Sequence, residues 1–437
     1  MATANSHRGI VDLPTELIRH ICSFLCPVCV QGQRPWSCPE CINQRPGCHE
    51  WFRGQLDMSR LSRTCKRLRN VVQPTVFLCY PDSGRWQVRR LLRLARTLMQ
   101  RPDLAQHMRF LMFREPCEEL EPWDRKFVHD SIIQLGLPAV PDHWNIDGDP
   151  EFRLLPLELV LAHTPDLEYL RVPLDYDWNL HLLSQLVKTR PPFLTKLKSL
   201  EVSHYFIAGD RFDVNMDAID TIIRAAPNLD SLCLPSPNCG YGSATPMPSL
   251  RRLYFQDDCS ISPEALTALL DAAPKLEVLA LRWAAMADSY DDCADRRTTD
   301  AWDAVERRRD SLRELRLDIR SDTEQGDGER DSLKDFENFL SALFAPSIRE
   351  VTFWQPDKEE MSSAMLRFAK VVAVGRYPNL KSVVIAPSEM SGWRELDEAL
   401  NAEWGESKGE LEEDFGKGNV RFELKWESPY WSACRLD

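Results

Sequence analysis

One six-residue pattern of apolar positions, apolar-x-x-apolar-x-apolar, returns along most of the chain. Its last three positions alternate apolar and polar residues, which is the period of a strand with one buried face. From residue 167 onward, successive copies start 21 to 36 residues apart, near the length of a repeating unit that carries one strand. The copies begin at Met108, Leu167, Leu197, Leu229, Leu250, Leu276, Leu312, Ile348 and Leu380. A last strand is predicted within residues 420–426.

Amphipathic helices are predicted ahead of several copies. Apolar residues at i, i+3, i+4 and i+7 share one helical face in residues 219–226, 266–273, 336–343 and 365–372. A proline follows each segment, and because proline cannot continue a helix it marks the break before the strand. These prolines are Pro227, Pro274, Pro346 and Pro378. A single unit cannot bury its own apolar stripe, so we expect stacked units. The predicted fold is α/β, a solenoid over residues 108–427 with parallel strands on its concave face and helices on its convex face.

Two further apolar helical faces lie ahead of the repeats. A first helix is predicted after the Leu13-Pro14 pair, because proline suits the first turn of a helix. Its apolar face is formed by Leu17, Ile18, Ile21 and Leu25. A second helix is predicted to end at Pro74 and to carry on one face Leu61, Cys65, Leu68 and Val72.

These two segments resemble the two halves of an F-box. The first half has the Leu13-Pro14 pair, and the second has the Leu-x-x-x-Cys-x-x-Leu run that starts at Leu61. The chain is similar to F-box proteins of filamentous fungi that carry leucine-rich repeats, and it departs from the usual motif by an insertion between the halves. The organisation expected is a tail at 1–9, an F-box at 10–80 with a Cys-rich insertion at 26–57, a linker helix at 81–107, leucine-rich repeats at 108–427 and a tail at 428–437.

The resemblance implies docking onto the Skp adaptor of a cullin–RING ubiquitin ligase. An apolar face on so short a motif has to be covered, either by a partner or by the chain's own core. In the first case the chain is the substrate-recognition subunit; in the second it is an interaction scaffold outside any ligase, with the F-box-like helices packed internally. The candidate contacts with the Skp adaptor are Leu13, Pro14, Leu17, Ile18, Ile21, Leu25 and Leu68.

The repeats are expected to hold the target protein. In each strand the residues that flank the buried pair point to the concave face, and aromatic and arginine residues dominate the binding energy of many interfaces. The candidates for target binding are Tyr169, Arg171, Tyr254, Arg282, Arg316 and Trp354. The alternative for each is a solvated residue on an open sheet.

Six of the fourteen cysteines lie between residues 22 and 48. They include two Cys-x-x-Cys pairs, a spacing that lets two thiolates bind one tetrahedral zinc ion. The predicted ligands of a structural zinc are Cys26, Cys29, Cys38 and Cys41. Inert thiols, or a set in which Cys48 or His49 replaces one ligand, are the alternatives. A RING domain is not expected, because residues 26–49 offer five cysteines and one histidine for two zinc ions.

Composition narrows the classes of function. The chain has 54 basic and 67 acidic residues and a net charge of −13, which disfavours a nucleic-acid partner. No apolar run reaches the length of a membrane span or fits a secretory signal, so we expect a protein of the cytoplasm or nucleus without a membrane partner. Motifs of hydrolases, metalloproteases and phosphate loops do not occur. We therefore expect no catalysis by this chain and no cofactor for catalysis.

Overall fold

In the part of the chain that the structure describes, eleven parallel strands form one sheet, in which each strand lies beside the next one along the chain. The computed structural model describes residues 10–26, 48–80, 87–113, 122–137, 154–174, 179–190, 192–203, 216–235, 245–256, 261, 263–282, 305, 308, 310–318, 347–354, 358–386 and 396–424. Helices occur in the connections between strands, so the predicted α/β class is confirmed. No helix within these ranges is both long enough and apolar enough to cross a bilayer.

Strands β1 to β11 span, in order, Cys79–Tyr80, Phe110–Met112, Tyr169–Pro173, Ser199–Ser203, Ser231–Pro235, Arg252–Gln256, Val278–Arg282, Glu314–Asp318, Glu350–Trp354, Ser382–Ala386 and Arg421–Leu424. Strands β2 to β11 coincide with the positions that the apolar pattern predicts. The two-residue strand β1 was not predicted, because so short a segment shows no alternation.

Helices α1 to α12 span Thr15–Leu25, Cys48–Ser62, Lys66–Val76, Gln87–Gln100, Pro102–Ala105, Pro122–Gln134, Leu155–Ala162, His181–Thr189, Met216–Ala225, Pro263–Ala272, Lys358–Ala373 and Leu396–Lys417. The predicted helices before Pro227, Pro274 and Pro378 are α9, α10 and α11. The helix predicted at 336–343 lies outside the described residues.

The single helix predicted through Cys65 is wrong. The chain instead leaves α2 at Ser62 and starts α3 at Lys66, and Cys65 is the capping residue, whose Sγ accepts a hydrogen bond from the Leu68 N–H at 3.4 Å. Pro74 also does not end the helix, which continues to Val76. A proline so near the end of a helix removes only one of its hydrogen bonds, so the last turn still forms.

The chain divides into two compact units. The first consists mainly of Met1–Glu201, and the second mainly of Val202–Ile223 and Pro227–Ala433. In the first unit, α1 to α3 and β1 to β3 contribute to one apolar cluster. Its fully or almost fully buried members include Ile18, Cys22, Met58, Leu68, Val72, Cys79, Phe110 and Tyr169.

The core of the second unit is a row of aligned apolar side chains. Adjacent strands place them in register without a slip, and each is buried. Every such side chain contributes about 1.5–3 kcal/mol of transfer free energy. The row consists of Leu232, Leu253, Leu279, Leu315, Val351 and Val383.

Backbone hydrogen bonds fix the starts of strands β6 to β10 in this unit. The carbonyl of Arg251, just before β6, accepts hydrogen bonds from the amides of Glu277 and Val278 at the start of β7. The carbonyl of Glu277 does the same for Arg313 and Glu314 at the start of β8. The same pair of bonds recurs at the starts of β9 and β10, so each strand is held to the one before it at its first residue.

Candidate functional site

Helix α1 begins directly after Pro14, whose carbonyl accepts hydrogen bonds from the Leu17 and Ile18 amides at 3.1 Å each. It ends at Leu25, where the Cys26 N–H still donates to the Cys22 carbonyl. Apolar residues lie on more than one side of this helix, so burying one side leaves the apolar residues of another side uncovered. The two sides have different surroundings.

The inner side of α1 belongs to the core of the first unit. Ile18 and Cys22 are completely buried. They pack in the same cluster as Leu68 of α3, Cys79 of β1 and Phe110 of β2. The core of the helical bundle therefore continues onto the first strands.

The outer side of α1 is apolar and exposed. Leu17 is 49% exposed and Phe24 is 67% exposed, and because they are seven residues apart they share one helical face. The His20 ring lies against Phe24 with ring centroids 4.7 Å apart. Ile10 and Val11, just ahead of the helix, are also exposed. We call Ile10, Val11, Leu17 and Phe24 the outer apolar stripe; adjoining exposed apolar side chains of this kind mark interaction surfaces.

The seven residues predicted to contact the Skp adaptor divide by burial. Pro14 and Leu17 are exposed, and Leu13, Ile21 and Leu25 are partly buried. Ile18 and Leu68 are core residues, which a partner cannot contact while the bundle is folded. The prediction did not include Phe24, whose i+7 relation to Leu17 was the available signal.

Hydrogen bonds and one close approach hold the three helices together. The Arg67 guanidinium of α3 donates to the Val11 carbonyl and, at 2.7 Å, to the Leu13 carbonyl. Gly54 of α2 approaches the end of α1 so closely that a Cβ there would lie 2.2 Å from the Leu25 carbonyl oxygen. Only glycine fits that crossing without a shift of one helix.

Of the four predicted zinc ligands, Cys26 lies in the described part of the chain, and Cys29, Cys38 and Cys41 lie outside it. Cys26 is buried in the core cluster together with Cys79. Burial, with a smaller contribution from Cys26, raises the pKa of Cys79 well above its ordinary value. Among the described residues, no three histidine, cysteine or acidic side chains converge to hold a metal ion.

Tyr169 and Arg171, the target candidates of the first unit, are tied to one carboxylate. The Tyr169 hydroxyl donates a hydrogen bond to the Glu201 carboxylate, and Arg171 Nε lies 3.2 Å from Glu201 Oε1. Tyr169 is completely buried, while Arg171 remains partly accessible. In this structure Tyr169 is a packing residue, and Arg171 is the more accessible of the pair.

The four candidates of the second unit fall in two rows of one sheet face. Register places Tyr254 and Arg316 in one row, on either side of Ala280. Both are buried, and Arg316 donates to the Glu314 carboxylate. Arg282 and Trp354 flank Asp318 in the next row; their side chains lie outside the described part of the structure. The predicted residues are therefore aligned in rows across the strands, and Tyr254 and Arg316 are buried rather than exposed.

A buried carboxyl group lies outside these sites. Glu158 of α7 is completely buried, and its Oε2 accepts a hydrogen bond of 2.8 Å from the Leu183 N–H in the first turn of α8. Burial raises the pKa of Glu158 to about 8. The group caps a neighbouring helix, and a sequence pattern gives no sign of this role.

No protein-family model matches the chain, and no curated protein matches it. The function of the chain is therefore inferred from the geometry of these residues.

Proposed function

We propose that this chain is the substrate-recognition adaptor of an SCF-type cullin–RING ubiquitin ligase. The bundle of α1 to α3 docks onto the Skp adaptor, and the repeat body holds a target protein. The chain performs no chemistry itself; it raises the effective concentration of target lysines near the ubiquitin-carrying enzyme, in the cytoplasm or nucleus. The observation that carries the proposal is the outer apolar stripe, which the described part of this chain leaves exposed.

The geometry of α1 supports docking. A helix that only completed the bundle would bury its apolar side and expose polar residues. Here Ile18 and Cys22 complete the core, while Leu17 and Phe24 stay exposed on another side. A partner that covers these two side chains removes them from water, which favours binding.

The order of the strands supports the repeat body. Eleven parallel strands that follow the chain order are what stacked helix–strand units produce. The recurring apolar positions, and the recurring hydrogen bonds at the strand starts, agree with a leucine-rich-repeat solenoid. Such a body offers many side-chain positions in register to a protein target.

One observation favours the second candidate, an interaction scaffold outside any ligase. The inner side of α1 packs in one cluster with Cys79, Phe110 and Tyr169, so the F-box-like helices serve the chain's own core. The two uses occupy different sides of α1. The outer side is therefore the place to distinguish them.

The test is a binding titration of the full-length protein, supplied with zinc, against purified Skp adaptor. The variant carries Leu17→Gln and Phe24→Gln, which remove the two stripe residues of α1 while glutamine keeps the helix. The matched control carries Ile133→Gln and Val374→Gln, two other exposed apolar residues.

We expect the wild type and the control to bind and the stripe variant to lose at least about tenfold in affinity, with unchanged thermal unfolding. No binding by well-folded wild type would refute the ligase role and leave the scaffold.

A further inference from the structure

Charge is distributed unevenly along the chain. Residues 1–110 contain 17 Lys and Arg against 7 Asp and Glu, whereas residues 111–437 contain 37 against 60. The segment that contains the bundle is therefore basic within an acidic protein. Charge asymmetry of this kind points to a charged partner for one part of a chain.

The basic residues concentrate where α2 passes into α3. Positions 60–69 hold five cations and no acidic residue, and all five are exposed: Arg60, Arg63, Lys66, Arg67 and Arg69. Two of them have partners inside the chain, since Arg60 pairs with Asp57 at 3.1 Å and Arg67 bonds backbone carbonyls. Within the described residues, no carboxylate forms an ion pair with Arg63, Lys66 or Arg69. We call these three residues the basic junction.

The basic junction is electrostatically unfavourable for its own helix. Lys66, Arg67 and Arg69 occupy the first turn of α3, which contains no acidic residue. The amino end of a helix carries partial positive charge and favours acidic side chains, so cations there repel it. The cap is the Cys65 thiol, a weak acceptor. No acidic residue in that turn offsets this repulsion.

The first turn of α3, which carries Lys66 and Arg69, also lies close to the outer apolar stripe. Arg67, between Lys66 and Arg69, donates a hydrogen bond to the carbonyl of Val11, and Val11 belongs to the stripe. The first turn of α3 therefore lies next to the start of the stripe, and Lys66 and Arg69 in that turn can attract a charged partner over a distance of about 10 Å. A partner of matching chemistry has an apolar groove with carboxylates at its rim, because complementary charge at the rim speeds association and fixes register.

We propose that the partner covering the outer apolar stripe is an acidic protein whose carboxylates face Arg63, Lys66 and Arg69. The inference rests on the proposed docking of this surface and adds the charge of the partner and the residues that sense it. Its contribution lies in association and orientation, while the stripe supplies the apolar contact.

The experiment uses the full-length protein and purified Skp adaptor at about 50 mM and about 500 mM NaCl, because salt screens exposed charges. The test variant carries Arg63→Glu, Lys66→Glu and Arg69→Glu. The control carries Lys275→Glu, Arg376→Glu and Lys381→Glu, three exposed residues of the second unit with the same total change in charge. The changes at Lys66 and Arg69 place acidic side chains in the first turn of α3, which favours the helix, so we expect the test variant to stay folded, and thermal unfolding checks this.

We expect the test variant to bind at least about tenfold more weakly than wild type at low salt, mainly through slower association, with the difference shrinking at high salt. The control stays near wild type. If wild type binds with no salt dependence and the test variant binds equally well, the inference fails and the ligase role stands.

If neither wild type nor variants bind the adaptor, the ligase role fails and the inference fails with it. A third titration uses duplex DNA of arbitrary sequence. Binding of the duplex tighter than that of the adaptor, and lost in the test variant alone, would assign the basic junction to a polyanion and overturn the inference.

Discussion

Helices α1 and α7 belong to the same unit but differ in how far their apolar residues are exposed to water. In α7, every residue from Leu155 to Leu161 is buried, including the carboxyl group of Glu158. In α1, only Ile18 and Cys22 are buried, and Leu17 and Phe24 lie in solvent. A helix that only stabilises the fold can contain a buried polar group when that group is hydrogen-bonded. An exposed apolar side does not stabilise the fold, so its apolar residues need another explanation. The comparison separates side chains that stabilise the protein from side chains that are available to a partner.

The sharpest test replaces the same residue type in both helices. We expect Leu159→Ala in α7 to lower the free energy of unfolding by about 2–5 kcal/mol, because it empties a completely buried position. Leu17→Ala in α1 should change it by less than about 0.5 kcal/mol. Urea unfolding of both variants measures this, and equal losses would show that Leu17 is covered in solution.

The pH dependence of stability tests the buried carboxyl of α7. The pKa of Glu158 is raised from 4.5 to about 8, so between these values the folded state holds a proton that the unfolded state releases. Stability should therefore fall as pH rises through this window, by up to about 1.4 kcal/mol per pH unit from this group. Glu158→Gln removes that slope while keeping an acceptor for the Leu183 N–H.

Thermal unfolding between pH 5 and pH 8 provides the measurement, and the variant should gain on the wild type as pH rises. The control is Glu16→Gln in the exposed first turn of α1, which should leave the slope in place. A slope unchanged by Glu158→Gln would mean that Glu158 is ionised in the folded protein.

A smaller effect is expected where α1 rests on α2. Gly54→Ala places a Cβ against the Leu25 carbonyl, so α1 has to move and we expect a loss of about 1–3 kcal/mol. Gly409→Ala in α12 meets no atom within 4 Å and should stabilise that helix by about 0.5–1 kcal/mol. Opposite shifts in the thermal midpoint would support the close packing of α1 on α2; a stable Gly54→Ala variant would contradict it.

The smallest effect on stability should accompany a large effect on binding. Phe24→Ala removes the most exposed apolar ring of α1, so we expect a change in unfolding free energy of less than about 0.5 kcal/mol. If Phe24 is an anchor of the interface, the variant should bind the Skp adaptor with a binding free energy weaker by about 2 kcal/mol. Calorimetric titration together with thermal unfolding separates the two quantities, and parallel losses in both would place Phe24 in the core.

The sequence predicted the strands well because their signal is local. Alternating apolar positions, such as Leu279 and Leu281, determine which face of a strand is buried without any knowledge of the neighbouring strand. The helix boundary at Cys65 was missed, because the apolar spacing continues through the cap from Leu61 to Leu68.

Burial that depends on distant segments could not be predicted. Leu17 and Ile18 are adjacent and equally apolar, and only the packing of α3 and β1 decides which of them is covered. Tyr169 and Arg316 were expected on an open concave face, yet both are buried. The capping of α8 by Glu158 likewise depends on a contact between two helices that no local pattern contains.

The hydrogen bonds at the strand starts affect how the sequence can evolve. Strands β6 to β10 are each positioned by the carbonyl just before the preceding strand, as Arg251 does for β7 and Glu277 for β8. The segment that leaves a strand does not set the register of the next one, and the unit lengths of 21 to 36 residues agree with this freedom. Insertions and deletions in these connections would leave the sheet intact, so the connections can change in length and sequence on a constant frame.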